Sequence, residues 1–213
     1  MELNIKDTLI QKRFPTVMVP KYGELEPCPL HQTRLLMARD GVYIETNQPF
    51  GKFMGHLAGF DRDLPYGDVE PANSIVAVLA TEEVKEILYR IIKPAAEEYA
   101  VKGHEWAGWI VWNEEEGCQY LPLDIETTAV SVIIRDRPVL PEGTYLIADV
   151  HSHGRIQPFF SNTDDADDAG GVKASLVLGS YNGMTEKFKV EGRIVIEGFY
   201  FPLFNGKNVV ASI

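Results

Sequence analysis

The stretch 145-YLIADVHSHGRIQPFFSNTDDADD-168 opens as a strand, crosses a loop and closes on a helix start. Its apolar run YLIADV leads into His151 and His153, spaced i and i+2. On an extended strand such side chains share a face about 7 Å apart, a span one ion bridges with two imidazoles at ~2.0 Å each. Ser161 and Asp164 then follow as the N-cap and third residue of a short helix, where an acidic side chain meets the positive helix end. A capped start returning to the strand end brings Asp164 up as a third ligand. Two histidines and a carboxylate leave one tetrahedral position open to water, the arrangement of a catalytic zinc rather than a structural one. Such a water, acidic near pH ~7, needs a non-ligand carboxylate to carry its proton.

Working outward, the helical spacing of Val84, Ile87, Leu88, Ile91, Ile92, Ala95, Ala96 and Tyr99 predicts an amphipathic helix over 81–100, capped by Thr81 and kinked or broken at Pro94. Short apolar runs at 106–112, 118–123, 129–134, 145–150, 174–179 and 193–204 read as strands. Together they predict an α/β (α+β) domain over 73–213, a mixed central sheet flanked by helices. Residues 1–72, rich in Pro and Gly, read as a small β-rich region with a tight hairpin at Asp40-Gly41, where glycine takes positive φ freely. GKFMGHLAG (51–59) reads as a loop; Phe53 after Gly51-Lys52 excludes a phosphate-binding loop.

Composition narrows the function. In 213 residues, 31 acidic against 20 basic side chains give a net charge of -11, which repels phosphate backbones and argues against direct nucleic-acid binding. Neither a signal peptide nor an apolar run of ~18 residues is present, so no membrane partner and a cytoplasmic location are expected. Cys28 and Cys118, far apart and outside any CxxC, read as reduced thiols. Asp165, Asp167 and Asp168 fit no EF-hand and read as solvated helix surface. His31, His56 and His104 read as surface or core residues, and Trp106, Trp109 and Trp112 as core or cleft wall. Asp149 shares a strand face with His151 and can either orient its imidazole or stand exposed.

His151-Ser152-His153, seven residues, Ser161, two residues, Asp164 resembles the signature of the JAMM (MPN+) metalloproteases at every defined position. The resemblance covers about 80–180 and implies a cytidine-deaminase-like domain with one Zn2+ per chain on His151, His153 and Asp164. It implies Glu105, in HEWAGWIVW, as general acid and base in preference to Glu114, Glu115 or Glu116, and Ser161 as a donor to the developing oxyanion. The reaction implied is hydrolysis of a peptide or isopeptide bond, at the tail of a ubiquitin-like protein, without a covalent intermediate. Many family members carry Pro before the motif serine; here Phe160 stands there, in a form resembling bacterial branches. The whole chain is similar to the A-type proteins of the bacterial PRTRC (ParB-related, ThiF-related) cassette, which implies an E1-like activating enzyme as a neighbour. The rival reading is a non-catalytic MPN-type scaffold that recruits that enzyme or the modifier.

Overall fold

The computed structural model describes residues 4–203 and the backbone of 211–212. The chain divides into two compact units, Met1–Val78 and Leu79–Ile213.

In the first unit, Asn4 caps a helix the sequence reading did not expect, α1 (Ile5–Arg13), its side chain accepting from Lys6 N. A four-stranded sheet follows in the order β1 (Thr16–Met18), β2 (Gln32–Met37), β3 (Gly41–Gln48), β4 (Gly51–Gly59), with β1 parallel to β2 and the rest antiparallel. The Asp40-Gly41 hairpin forms, but Gly41 is needed for space rather than for positive φ: a Cβ there would stand 2.4 Å from Ala58 O. The expected loop 51–59 is strand β4. Its Phe53 and Gly55 are buried while Lys52 and His56 are exposed, an alternation that the regular glycine spacing obscures. Val19, Leu36 and Ala38 centre the core. The expected division at 72/73 falls inside this packing, because Ala72 O accepts from Met54 N (2.6 Å) and Ser74 Oγ from Lys52 N (2.7 Å). The chain reaches the seam through α2 (Ser74–Leu79).

Near the start of the second unit the Thr81 side chain caps α3 (Glu82–Ile87) by accepting from Val84 N. Pro94 does not break the helix. The backbone widens into a π-turn over Leu88–Ile92 and resumes as α4 (Lys93–Lys102), with Pro94 in the first turn of α4. The wide turn absorbs the bond to Arg90 that proline cannot make, and its extra residue shifts the apolar stripe. Ile92, Ala96 and Ala100 are therefore fully buried while Ile91 stays exposed. Gly103, at φ 77, ends the helix in the left-handed conformation.

Among the described residues the main sheet has seven strands, six in the order β12 (Phe199–Pro202), β11 (Lys187–Ile196), β10 (Val172–Asn182), β9 (Tyr145–Ser152), β5 (Trp106–Asn113), β6 (Gly117–Pro122), and a seventh, β13 (Ala211–Ser212), that also pairs with β11. Only β9 and β10 run parallel, so the sheet is mixed, and α4 packs on β5, β9 and β10. The run 129–134 narrows to β8 (Val132–Ile134), which pairs with β7 (Ile125–Thr127) in a separate hairpin. The run 193–204 is two strands, not one. Glu197 and Gly198, at φ 51 and 85, make the two-residue turn of a hairpin; Phe204 lies outside the described residues. The parallel step from β9 to β10 passes through α5 (Asn162–Asp167), which brings that helix over the carboxyl end of β9.

Candidate metal centre

Alternation at the end of β9 sets the two histidines on one face. Ser152 between them is fully buried, its hydroxyl without a partner among the described residues, so His151 and His153 point the other way. His153 N donates to Leu178 O at 2.8 Å, which extends the hold of β10 one residue past the strand. Gly154, at φ 55, then turns the chain away. His153 Nδ1 lies 3.4 Å from Gln157 O; a proton there leaves Nε2 with its lone pair free for a metal. The edge of Phe159 packs on the His153 ring, centroids 4.7 Å apart.

Asp164 arrives as the sequence predicts, through a complete capping box. Ser161 Oγ accepts from Asp164 N (3.3 Å), while Ser161 N (2.6 Å) and Oγ (2.7 Å) both donate to Asp164 Oδ2. That leaves Oδ1 to face His151 Nε2 at 3.4 Å. Burial opposes the charge on Asp164, but the Ser161 hydrogen bonds and the two imidazoles outweigh it and hold the carboxyl below its ordinary range. Burial, then the neighbouring His151, lowers the pKa of His153 and favours its neutral, ligating form.

The ligand atoms of His151, His153 and Asp164 all lie within 4.8 Å of one another. Donors at ~2.0–2.1 Å on two tetrahedral directions of one ion stand about 3.3 Å apart. His151 Nε2 is 3.3 Å from His153 Nε2 and 3.4 Å from Asp164 Oδ1, long for hydrogen bonds and matched to that spacing. Two of the three donor spacings thus match a tetrahedral zinc site and the third pair, His153 and Asp164, lies within 4.8 Å, so this donor set fits a zinc ion after a small closing adjustment.

Glu105 sits one residue before β5, where Trp106 pairs with Ser152 and Ala107 with His151. Its backbone N–H is held by Thr128 O (2.9 Å) and it is only 8% exposed. Burial, with the charge of Asp164 second, raises its pKa to about 7. Glu114, Glu115 and Glu116 lie exposed in the turn after β5 and do not line the cleft. Glu105, both histidines, Ser161 and Asp164 line one cleft of about 780 Å³. Val130 and Ile133 of the β7–β8 hairpin, both exposed, give it an apolar rim, and Trp109 forms part of its wall.

Ser161 has one hydroxyl proton and spends it on Asp164 Oδ2. Donation to an oxyanion would require that bond to be given up, with Ser161 N remaining on the same oxygen.

Two expectations for the acidic residues do not hold. Asp149 neither touches His151 nor stands exposed: it pairs with Lys173 and accepts from Ser175 Oγ (2.7 Å). Asp168 is not solvated but 2% exposed, bonded to Lys173 (2.7 Å) and Arg193 (2.7 Å), and Asp165 also accepts from Arg193 (2.6 Å). Only Asp167 is exposed as expected. The missed signal is a basic residue at the head of each of two apolar runs, Lys173 just before 174–179 and Arg193 opening 193–204, positions that burial allows only with a partner. Exposed His31, His56 and His104 stand outside the cluster, and Cys28 and Cys118 are free and buried.

A family described as prokaryotic homologs of the JAB domain matches residues 85–191, half of the chain. The chain belongs to this family. The matched region runs from within α3 through β10 and contains all five candidate residues, Glu105, His151, His153, Ser161 and Asp164. A second family, a domain of unknown function (DUF2016), matches residues 4–75. Among solved structures, the JAB chain is similar to the solution structure of protein DSY2949 from Desulfitobacterium hafniense, at 11% identity and a TM-score of 0.37, over 57% of this chain and 86% of that one. No curated protein matches it.

Proposed function

We propose that this JAB-family chain is a zinc-dependent peptidase or isopeptidase acting at the tail of a ubiquitin-like protein. The observation that carries the reading is the convergence of three ligand atoms within 4.8 Å beside a buried carboxyl that titrates near 7. When bound by His151, His153 and Asp164, zinc supplies Lewis acidity that makes a water acidic near pH ~7 and polarises the scissile carbonyl.

The protein's own groups do the rest. Glu105 takes the proton released as the water oxygen adds to the carbonyl carbon, and returns it to the departing amine nitrogen as the C–N bond breaks. One water is consumed, and no acyl-enzyme forms. Burial makes Glu105 a stronger base than an exposed carboxylate and lets it serve in both directions near neutral pH. Ser161 holds Asp164 in place and, once its hydroxyl swings off Oδ2, donates to the oxyanion. β8 pairs only with β7 among the described residues, so an extended peptide in the cleft can add to its open side, against Val130 and Ile133.

The test is metal content and cleavage, side by side. Wild type should carry close to one zinc and release a ubiquitin-like protein from a C-terminal fusion; His153→Ala should lose both, and Glu105→Gln should keep the metal and lose turnover. Tight binding of the modifier or of an E1-like enzyme, unchanged in His153→Ala and without cleavage by wild type, would instead make the chain a scaffold.

A further inference from the structure

Helix α5 carries the third ligand yet has nothing apolar to hold it. It is six residues long, Asn162–Asp167, and none of them is buried. A helix this short is not stable on its own, and its usual anchor, a buried hydrophobic face, is missing. What binds it to the sheet is a set of polar contacts centred on one guanidinium. Arg193, on β11 and 8% exposed at its side chain, donates from Nη1 to Asp165 Oδ1 (2.6 Å), and from Nε (3.1 Å) and Nη2 (2.7 Å) to Asp168 Oδ2. Its two faces are covered as well. The ring of Phe160 lies 3.9 Å from the guanidinium carbon and that of Tyr200 4.0 Å. Tyr200 also donates from its hydroxyl to Asp165 O at 2.8 Å.

The grip therefore reaches both ends of the helix, through Phe160 just before the capping Ser161 and through Asp168 at the C-cap, with Asp164 between them. It extends to the histidine strand, because Lys173 joins Asp168 to Asp149, two residues before His151. Only a planar, forked cation does all of this. A lysine ammonium can pair with one or two carboxylates, but it cannot donate in parallel along a plane while stacking between two rings. The same contact explains why phenylalanine is accommodated before the motif serine: its ring is one jaw of the clamp.

We propose that Arg193, clamped between Phe160 and Tyr200 and forked onto Asp165 and Asp168, is the positioning residue that sets Asp164 against His151 and thereby sets the affinity of the metal centre. This rests on the zinc reading above. Partners of this kind orient ligands without touching the ion, and losing one typically weakens metal binding 10–100-fold.

The experiment uses the full chain and two ions. Zinc affinity is measured by competition with a chromogenic chelator, and the ligand-field spectrum of the cobalt(II)-substituted protein reports the coordination geometry, which a loss of stability alone would leave unchanged. Arg193→Lys, which keeps the charge but loses the fork and the stack, should bind zinc at least tenfold more weakly and move the cobalt spectrum toward that of Asp164→Asn. Phe160→Leu, which keeps apolar bulk and removes only the stack, should move both in the same direction, and it decides the matter if Arg193→Lys does not fold. Zinc affinity within about twofold of wild type, with an unaltered cobalt spectrum in the folded variant, overturns the clamp. His153→Ala serves as the control: if it binds zinc as wild type does, the zinc reading itself has failed and the clamp falls with it.

Discussion

Replacing Glu105 by glutamine tests the carboxyl's environment without any appeal to turnover. In the metal-free fold the side chain titrates at about 7, against 4.5 for the free group. From about pH 4.5 upward the unfolded chain has lost this proton while the folded protein keeps it until about pH 7, so the folded state binds more protons and its stability falls as pH rises through that window. At 1.36 kcal/mol per unit, the cost of ionising Glu105 in place approaches about 3 kcal/mol by pH 8. Glutamine never ionises, so the variant escapes this loss. Its own fit in the pocket adds a pH-independent offset, which makes the slope, not the absolute stability, the quantity to read. The assay is urea unfolding in excess chelator at several pH values between 4.5 and 8. It is followed by tryptophan fluorescence, because the chain's three tryptophans, Trp106, Trp109 and Trp112, all lie on β5 beside Glu105. The stability of Glu105→Gln minus that of wild type should climb by about 3 kcal/mol from pH 4.5 to 8, and the climb should shrink when zinc is present, because a dication stabilises the nearby carboxylate. A difference flat to within about 0.5 kcal/mol would refute the buried, proton-retaining Glu105.

Three further outcomes follow from the same geometry. Ser152→Ala removes a fully buried hydroxyl that has no partner among the described residues, so zinc content should be unchanged and stability should hold or rise by about 1 kcal/mol in urea unfolding. Ser161→Ala breaks the capping box; it should cost about 1 kcal/mol of stability and weaken zinc binding by freeing Asp164 Oδ2, as read by chelator competition. Stripping the metal from wild type should lower the unfolding midpoint, since zinc at 100 times its dissociation constant adds about 2.7 kcal/mol to a fold that alone presents the site; an unchanged midpoint in His153→Ala on adding zinc is the matching control.

The elements that follow from local chemistry were legible. Thr81 and Ser161 cap helices because their hydroxyls reach backbone N–H groups two or three residues on, and that geometry is written in the residue order. Alternation in YLIADVHSH puts both imidazoles on one face whatever the strand pairs with. Other features were not legible, each for a physical reason. Strand β4 was hidden because its buried positions include Gly55, which contributes no hydrophobicity to the pattern. The helical stripe after Ile87 slipped because a π-turn adds a residue that no periodicity anticipates.

By itself the sequence determined which three candidate ligands, His151, His153 and Asp164, come together, since spacing on a strand and a capped helix start are short-range properties. The tertiary structure decided which acids matter around it. Asp168 looks like solvated helix surface until β11 folds over α5 and brings Arg193 from 25 residues away, and Asp149 looks like a histidine partner until β10 sets Lys173 beside it. The family resemblance singles out Glu105 in the sequence, but the physical difference from Glu114, Glu115 and Glu116 comes from the antiparallel pairing of β5 with β9, which buries it by the histidines while they stay exposed. Charge and proton affinity depend on desolvation and on neighbours distant in sequence, and those exist only once the sheet has closed.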